Sequence, residues 1–350
     1  MTFLLTALGL CYLFLVLFFI FRSRSVPQLA TAGQRELTMA LVVVAYNEER
    51  KLPSFMNSLL NQDMTGCILT LHLVDDCSSD GTLELMREQI KRAHFETELH
   101  QSETGLGKVS QLRRLLPQLE DDVILLTDAD CLLPYGWIQK QRQWFLSNKG
   151  VLGGAILPVI GSAFQRLDWL LISGLGTIST RVDKAQSAFG GNLSIDTESL
   201  RKVDYGNSIK GDSAEDLQLV QRALALNIPV NFRLDPQLLV STSALPWRDY
   251  FQQKLRWSKG LLHLRPLTQF AVFALVILQL LAAVSVIQLT PQSLLISVTL
   301  GNLFLLWSFS NRLAVKLPLV PLLLYPFYWT ILLLNMALGV FYLPDDWKRE

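Results

Sequence analysis

Hydrophobic and polar positions divide the chain into three parts. Residues Thr2 to Phe21 form an apolar run without a charge, and a second, longer apolar region extends from Leu267 to Leu343. Between them, Ser25 to Arg265 mixes charged and apolar positions as a soluble domain does. This middle part is long enough to bury one substantial core. The pattern therefore predicts a folded domain flanked by membrane segments.

The first apolar run predicts an N-terminal transmembrane anchor over residues 1–24. It is long enough to cross about 30 Å of hydrocarbon, and Arg22 and Arg24 follow it directly. A secretory signal would carry its cations before a shorter apolar core. Cations after the run favour a retained anchor whose C-terminal side faces the cytoplasm. Residues 25–37 are then a short linker to the folded domain.

The second apolar region predicts a C-terminal membrane region over residues 266–350, with two or three helical segments. Two spans, roughly Thr268–Leu289 and Gln292–Phe309, are separated near Pro291. Arg312 interrupts the region and is expected on the cytoplasmic side. The Pro-rich segment that follows either crosses the membrane, which places the tail "DDWKRE" outside, or is re-entrant, which keeps the tail inside. The sequence leaves both arrangements open.

In the middle part, residues 38–265, the period of the pattern switches repeatedly between that of a strand and that of a helix. The segments "MALVVVAY", "ILTLHLVDD" and "DDVILLTDAD" are typical of buried strands, and "VLGGAILP" and "VNFRL" are further strand candidates. "NEERKLPSFMNSLLNQ" and "SSDGTLELMREQIKRA" are typical of helices, the second capped by Ser78 or Ser79. This alternation predicts an α/β fold with a mostly parallel sheet and a ligand site at the carboxyl ends of its strands.

Composition and charge narrow the function classes. The chain has 350 residues, half of them hydrophobic, and a formal net charge of +1, which gives no basis for a nucleic-acid partner. Its four cysteines show neither a zinc spacing nor a disulfide framework, as expected in a reducing cytosol. No GxGxxG follows the first strand, so the dinucleotide fingerprint is missing.

Acidic residues collect at the predicted strand ends. Asp75 and Asp76 end the second strand, and Asp128 and Asp130 end the third. Residues two apart in a strand point to the same side, so Asp128 and Asp130 can face one Mg²⁺ or Mn²⁺, a hard cation that prefers oxygen ligands. Solvated turns and helix starts would carry the same residues. The first strand ends at "AYNEE". Three polar strand ends on one edge favour a metal-dependent nucleotide site.

Other candidates lie beside these strand ends. Tyr46 could stack on a base and Glu48 offers a polar contact, while Lys108 follows two glycines and suits a diphosphate. Glu215 and Asp216 stand at a predicted helix start. Ser213 three residues before Asp216 resembles a capping box, but Asp216 could equally be a general base.

The segment "FQQKLRWSKG" stands directly before the second apolar region. On a helix, Gln253 shares a face with both Arg256 and Trp257. Arginine can pair with a phosphate and tryptophan offers a flat wall to a sugar, although a membrane-interface belt has the same composition. Residues Phe164 to Ser179 are amphipathic, which fits an interfacial helix or a core helix.

Taken together, these segments resemble the family-2 glycosyltransferases of the GT-A fold. The matching segments, in order, are "AYNEE", "VDDCSSDGT", "GLGK", "TDADC", "GGNLSI", "AED" and "QKLRW". They extend over most of Leu41 to Trp257, and their order makes the resemblance specific. The D-x-D and Q-x-x-R-W motifs belong to this set.

The resemblance implies a role for each matching residue. The nucleotide-sugar donor would be held by residues from several strand ends and from the Q-x-x-R-W helix, namely Tyr46, Glu48, Asp75, Asp76, Lys108, Asp128, Gln253, Arg256 and Trp257. Asp130, with Asp128, would hold the Mg²⁺ or Mn²⁺. Asp216 would be the catalytic base of an inverting transfer, and Gly191, Asn192 and Glu215 would lie on the acceptor side.

The expected function is that of an integral membrane enzyme of the inner or plasma membrane with a cytoplasmic catalytic domain. It would move a sugar from a nucleotide-sugar, most simply a UDP-sugar, to a lipid or a growing glycan. Few membrane segments favour a single transfer, whereas Q-x-x-R-W favours a processive polysaccharide synthase. A non-catalytic membrane scaffold of the same fold is the alternative of a different class.

Overall fold

The computed structural model describes residues 2–22, 35–182, 185–211, 214–260, 263–287 and 293–342. Most of the predicted linker, Ser213 and the tail "DDWKRE" lie outside the described residues. Two sheets contain the strands, which are β1 (Leu37–Ala45), β2 (Cys67–Asp75), β3 (Glu96–Gln101), β4 (Val123–Asp128), β5 (Val151–Gly154), β6 (Ile156–Ile160), β7 (Asn192–Asp196), β8 (Val230–Arg233) and β9 (Val240–Ser243).

The larger sheet has seven strands in the order β3-β2-β1-β4-β7-β5-β8, and β6 pairs with β9 in a second, two-stranded sheet. In the seven-stranded sheet, neighbouring strands are parallel except that β7 runs antiparallel to both β4 and β5. The prediction of an α/β fold with a mostly parallel sheet is therefore confirmed. The first four strands in this order, β3-β2-β1-β4, all end at the same edge.

Helices cover the sheet and continue into the apolar ends of the chain. Those of the described residues are α1 (Thr2–Arg22), α2 (Leu52–Leu60), α3 (Thr82–Ile90), α4 (Lys108–Leu115), α5 (Trp137–Phe145), α6 (Ala163–Val182), α7 (Thr197–Val203), α8 (Tyr205–Ser208), α9 (Glu215–Ala225), α10 (Trp247–Gly260), α11 (Pro266–Ile287), α12 (Ser293–Leu313) and α13 (Leu319–Tyr342). Short 3₁₀ turns occupy Leu116–Gln118 and Pro236–Leu238.

The central strands read as unbroken apolar runs because both of their faces are covered. In β1, Met39 to Val43 are all buried, and in β4 Val123 to Thr127 are buried. Helices on the two faces exclude water from such strands, which is why parallel sheets lack a polar–apolar alternation. The carboxylates of β2 and β4 then stand at the strand ends, where Asp75 is still buried and Asp128 is partly exposed.

The predicted single strand "VLGGAILP" is divided in two. Ala155 separates β5, which lies in the seven-stranded sheet, from β6, which pairs with β9. A Cβ at Gly154 would overlap the amide of Asn192, whose Nδ2 donates to the carbonyls of Ala155 and Leu238. The side chain of Asn192 thus holds the backbone by hydrogen bonds at Ala155, where the chain leaves the larger sheet.

Two predicted helix starts are wrong. Helix α3 begins at Thr82 after Gly81, and neither Ser78 nor Ser79 caps it. Instead the Ser78 hydroxyl accepts from the Asn47 amide, and the Ser79 amide donates to the Asn47 side chain. The segment after β1 likewise remains a loop until Leu52. The side chains of Asn47 and Ser78 therefore join the loops after β1 and β2 and do not cap a helix.

Within the described residues, the apolar ends of the chain form four helices. Helix α12 continues through Arg312 to Leu313, further than predicted, because a cation in the last turn is favourable to the helix dipole. The Pro-rich segment is helical as α13. Two described helices, Phe3–Ile20 near the N-terminus and Ser293–Leu313, are long and apolar enough to cross a membrane, and Pro266–Ala282 is a shorter apolar helix.

Helix α6 connects the folded domain to these apolar helices. It contacts α12 and α13, and a Cβ at Gly174 would collide with the ring of Phe309 on α12. Inside the same interface, Asp168 of α6 and Lys254 of α10 form an ion pair of 2.6 Å, with both side chains fully buried. The hydroxyl of Tyr250 donates to the same Asp168 oxygen. A buried, hydrogen-bonded charge pair therefore fixes α10 against α6.

Candidate active site

The acidic strand ends meet at one edge of the larger sheet. Strand β1 lies between β2 and β4, and its pairing places Ala45 beside Asp75 and Val44 beside Asp128. Asp130 follows two residues after Asp128 in the turn beyond β4. The predicted collection of carboxylates at the carboxyl ends of neighbouring strands is present.

Each carboxylate of the D-x-D motif faces a lysine. The Nζ of Lys108 lies 2.5 Å from Asp128 Oδ1, and the Nζ of Lys51 lies 3.4 Å from Asp130 Oδ2. Lys51 is also 3.4 Å from Glu48. Burial lowers the pKa of Lys108, but the carboxylates of Asp128, Glu215 and Asp216 together raise it above its usual value. The site thus combines carboxylates suited to a cation with ammonium groups suited to a phosphate.

The donor atoms of Asp128, Asp130 and Cys131 lie within 4.8 Å of one another and could hold a metal ion. Cys131 is buried, and burial raises the pKa of its thiol well above the usual value. The thiol therefore stays protonated near neutral pH and is a poor ligand. The remaining carboxylate oxygens are hard donors, which fit Mg²⁺ or Mn²⁺ better than a soft metal.

Asp76 organises the loop that carries Lys108. Its carboxylate accepts hydrogen bonds from the amides of Leu106 and Gly107 and from the side chain of Gln111. Gly107 has φ 83° and ψ 154°, a backbone conformation open essentially to glycine alone. The buried carboxylate of Asp76 therefore fixes the loop before Lys108 through hydrogen bonds. Lys108 itself is the first residue of α4.

Two further predicted nucleotide contacts, Tyr46 and Asp75, differ in exposure. Tyr46 is 43% exposed at the end of β1, which leaves its ring accessible to a ligand. Asp75 is buried, and its carboxylate accepts from the Ser78 amide. The structure thus leaves Tyr46 open at the surface and gives Asp75 a role in shaping the turn after β2.

Asp216 is held at the start of α9 by two backbone amides. The amide of Gly190 donates to Oδ2 at 2.8 Å, and the amide of Leu217 donates to Oδ1 at 2.7 Å. The capping-box interpretation lies partly outside the described residues, because it needs Ser213; the residue before the helix is Ala214, with φ 56° and no side-chain cap. The carboxylate of Asp216 is thus oriented by backbone donors.

The charge state of Asp216 is unusual. Burial, and secondly the charge of Glu215, raise its pKa to about 7, against the opposing hydrogen bonds and the charge of Lys108. Glu215 itself lies 3.5 Å from Lys108, which also pairs with Asp128. A carboxyl group with a pKa near neutrality can both take and release a proton there, which suits a general base.

The segment "GGNLSI" lies against the D-x-D motif. A Cβ at Gly191 would come within 2.6 Å of Asp128 Oδ2, and one at Gly190 would lie 3.3 Å from both Lys108 Nζ and Glu215 Oε1. Asn192 is buried and its amide is engaged in internal hydrogen bonds, including one from the Trp137 indole. The two glycines, and not the asparagine side chain, therefore border the site.

Helix α10 brings the Q-x-x-R-W residues near this segment. The ring of Trp257 lies 6.0 Å from that of Phe189, the residue before Gly190, and its edge packs on Trp169 at 5.0 Å. At its C-terminal end, α10 approaches Leu217, the neighbour of Asp216. Arg256 and Gln253 belong to the same partly buried helix. Trp257 thus packs against Phe189, the residue directly before the acceptor-side segment.

Several residues of the site carry no sequence signal of their own. Lys51 reads as an ordinary charge before a helix, yet it reaches Asp130. Tyr205 is buried beside Lys108, Glu215 and Asp216 around one small cavity, and its hydroxyl has no hydrogen-bond partner within the described part of the chain. A lone tyrosine in "VDYGNS" could have been found only from the fold.

Comparison with known protein families agrees with this geometry. The model described as "Glycosyl transferase family 2" matches residues 40–202, which contain the strand ends and the D-x-D motif. The model described as "Glycosyl transferase family group 2" matches residues 123–343, more than half of the chain, and includes Asp216 and the Q-x-x-R-W segment.

Individual relatives share part of the chain. Poly(ribitol-phosphate) beta-N-acetylglucosaminyltransferase TarS of Staphylococcus aureus is 30% identical over 95 residues, 27% of this chain and 16% of that protein. The 4,4'-diaponeurosporenoate glycosyltransferase of Staphylococcus haemolyticus is 29% identical over 99 residues, 28% of this chain and 25% of that protein. These matches extend over at most a quarter of each relative's length.

One solved structure covers nearly the whole chain. The mannosyltransferase PcManGT of Pyrobaculum calidifontis, in complex with GDP-Man and Mn²⁺, aligns with a TM-score of 0.62 over 97% of this chain and 98% of its own, at 17% identity. At this identity the likeness concerns the fold. With the family matches and the strand-end site, it shows that the chain belongs to glycosyl transferase family 2 and is a glycosyltransferase of the GT-A fold.

Proposed function

We propose that this glycosyltransferase is a membrane-bound, inverting enzyme that moves a sugar from a nucleotide-sugar to a lipid or growing glycan at the cytoplasmic face. The observation that carries the proposal is Asp216: a partly buried carboxylate with a pKa raised to about 7, oriented by two backbone amides beside Lys108 and Glu215. Such a group is suited to deprotonate an acceptor hydroxyl at neutral pH.

The donor would lie over the ends of β1, β2 and β4. Tyr46 offers an exposed ring to the base, while Glu48 and the Asp76-ordered loop border the nucleotide. Lys108 would leave Asp128 to pair with the diphosphate, since an ammonium suits that anion. UDP is the proposed nucleotide, and GDP is the alternative to be tested because the mannosyltransferase of the same fold is solved with GDP-Man.

Asp130 and Asp128 would hold a Mg²⁺ or Mn²⁺. The ion would supply one thing, stabilisation of the negative charge on the departing diphosphate. Thr242 and Lys51 both lie near Asp130 Oδ2, at 3.5 and 3.4 Å, and orient that carboxylate. The oxygen donor set supports this assignment, because the neighbouring thiol of Cys131 stays protonated.

In the proposed transfer, the acceptor oxygen forms a bond to the anomeric carbon while the bond from that carbon to the diphosphate oxygen breaks. Asp216 takes the proton of the acceptor hydroxyl, and the diphosphate leaves with the electron pair. Attack from the face opposite the leaving group inverts the anomeric carbon. Gly190 and Gly191, which lie close to Lys108 and Asp128, would border the acceptor together with Glu215. Trp257 packs on Phe189, the residue before these glycines.

The apolar helices support a membrane location. On α11, Leu267, Phe270 and Ile277 are more than half exposed and recur at helical spacing along one face. On α12, Trp307 is 54% exposed. Apolar surfaces of this extent are unfavourable in water and are typical of a surface that contacts lipid or another protein. Lipid contact would bring a membrane-embedded acceptor close to the end of α10.

The test is sugar transfer by purified protein in detergent, with membrane-lipid extract and a panel of radiolabelled UDP- and GDP-sugars, in Mg²⁺ or Mn²⁺. Asp130→Ala and Asp216→Asn are assayed in parallel, with the exposed Glu88→Gln as matched control. We expect label in a lipid or glycan fraction, reduced by at least about 100-fold in both site variants and unchanged in the control.

Product size decides between the versions of the proposal. A single added sugar on a lipid supports the proposed transfer, and long products under excess donor identify a processive synthase instead. Absence of transfer together with absence of metal-dependent nucleotide binding would overturn the enzymatic mechanism and leave the scaffold.

A further inference from the structure

Two histidines and a glutamate form a cluster at the edge of the larger sheet, apart from the D-x-D motif. His72 lies on β2, and Glu98 pairs with it directly across the strand on β3. His100 follows Glu98 by two residues, so both point to the same face of β3. Strand β3 is the terminal strand of the seven-stranded order, so the cluster lies at an open sheet edge.

The three donor atoms form a nearly equilateral triangle. His72 Nδ1 lies 3.2 Å from His100 Nε2, and Glu98 Oε2 lies 3.4 Å from the first nitrogen and 3.5 Å from the second. A tetrahedral ion with ligands at about 2.0–2.1 Å separates its ligand atoms by about 3.3 Å. The triangle therefore already has the dimensions of three corners of a tetrahedral metal site.

An imidazole–imidazole hydrogen bond alone would account for the 3.2 Å distance between the two nitrogens. It would not account for a carboxylate oxygen placed almost equally far from both of them. The rings of the two histidines are also stacked, with an interplanar angle of 25°. Three different donor atoms that lie this close together could hold one metal ion.

Charge at the cluster favours a cation. His72 is buried, and its Nδ1 lies 3.4 Å from the carboxylate of Glu98. Glu96 and Asp121 add negative charge near the same ring. His100 and Glu98 are partly exposed, which gives an ion a path of entry and a fourth position open to water.

We propose that His72, Glu98 and His100 form a binding site for one divalent transition-metal ion, with Zn²⁺ as the probe of choice. Two imidazoles and one carboxylate select a borderline metal, in contrast to the hard oxygen donors of Asp128 and Asp130. The bound ion would join β3 to β2 through side chains as well as through the backbone. Because β3 leads directly into the loop that Asp76 holds, the ion would stabilise this edge of the sheet.

The experiment measures Zn²⁺ affinity by competition with a chromogenic chelator, using full-length protein without a polyhistidine tag in detergent and excess Mg²⁺. The excess Mg²⁺ occupies the carboxylates of the D-x-D motif. The variants are His100→Ala and Glu98→Gln, both at partly exposed positions, and the matched control is His94→Ala, an exposed histidine near the start of the same strand.

We expect one Zn²⁺ per chain in the unchanged protein and in His94→Ala. Loss of a group that only orients a metal ligand weakens affinity by about 10- to 100-fold, so loss of the ligand in His100→Ala should weaken it by at least about 100-fold. Glu98→Gln should weaken it by at least about tenfold for the same reason. Zn²⁺ should also raise the Tm of the unchanged protein and not that of either ligand variant.

The proposal is overturned if the unchanged protein has no stoichiometric Zn²⁺ site, or if the site persists in either ligand variant with unchanged affinity. Should His100→Ala fail to fold in the absence of Zn²⁺, Glu98→Gln decides alone, because its side chain is half exposed and nearly isosteric.

Discussion

At the residue scale, Asp216 is the proposed base, and its protonation would then set the pH dependence of the transfer. A base must be ionised to act, so we expect the transfer rate to rise with pH through about 7 and to level off above it. Glu215→Gln removes a like charge, the second cause of the raised pKa after burial. The rising limb of the pH–rate profile should therefore move to lower pH in this variant.

The measurement is kcat/KM against pH for the unchanged enzyme, Glu215→Gln and the control Glu88→Gln. A limb that stays at the same pH in Glu215→Gln would assign the titration to another group. The same raised pKa has a consequence for stability: between about pH 4 and about pH 7 the unfolded chain has lost this proton and the folded one has not, so the contribution of Asp216 to stability falls as the pH rises.

Single residues show where the sequence is informative. Asp128 and Asp130 could be predicted as a pair because a strand of apolar residues ends on them, which is a local signal. Lys51 and Tyr205 could not, because each reaches the site only through the packing of elements distant in sequence. The buried ion pair of Lys254 with Asp168 is hidden for the same reason: 86 positions separate two charges that look solvated in isolation.

At the element scale, the turn before α4 depends on the backbone of Gly107. Its φ of 83° and ψ of 154° cost a residue with a side chain about 1–3 kcal/mol. Gly107→Ala should relieve this strain by moving the loop, and the position of Lys108 with it. We expect a rise of several fold in the KM for the donor, measured by transfer kinetics, with a smaller effect on kcat.

Gly105→Ala is the matched control for that loop. A Cβ at Gly105 would make only ordinary contact with the Asp76 carbonyl, at 3.4 Å. Equal donor KM values for Gly107→Ala and the unchanged enzyme would show that Lys108 does not depend on this turn.

Helices and strands could be predicted where one hydrophobic periodicity dominates the segment. The alternation of strands and helices that predicts the parallel sheet is local and strong, and β1, β2 and β4 lie where the pattern places them. The division of "VLGGAILP" is not local, because the side chain of Asn192, 37 residues after Ala155, determines where the strand leaves the sheet. The extension of α12 through Arg312 reflects a favourable helix end that a hydropathy pattern reads as a break.

At the scale of the whole molecule, the ion pair between Lys254 and Asp168 joins α10 to α6, two helices of the catalytic domain that both contact the apolar helix α13. Removing one partner leaves an uncompensated buried charge, which costs about 3–5 kcal/mol. Lys254→Met should therefore lower the Tm in detergent by several degrees. The double variant Asp168→Asn/Lys254→Met should recover part of the loss, because no unpaired charge remains in the interface.

The control for this prediction is Lys202→Met, which breaks an exposed ion pair with Glu198 on α7 and should leave the Tm unchanged. If Lys254→Met also left the Tm unchanged, the ion pair would not hold α10 against α6.

Helix α6 has a consequence for how an acceptor could be chosen. The ion pair of Asp168 holds α6 to α10, and Gly174 of α6 packs closely on Phe309 of α12. The reaction centre therefore keeps a constant position along the axis of the apolar helices. If those helices are embedded as proposed, the reaction centre lies at a fixed distance from the bilayer surface. Selectivity would then follow how far a hydroxyl protrudes from the bilayer surface, and the length of the acyl chain beneath it would matter little.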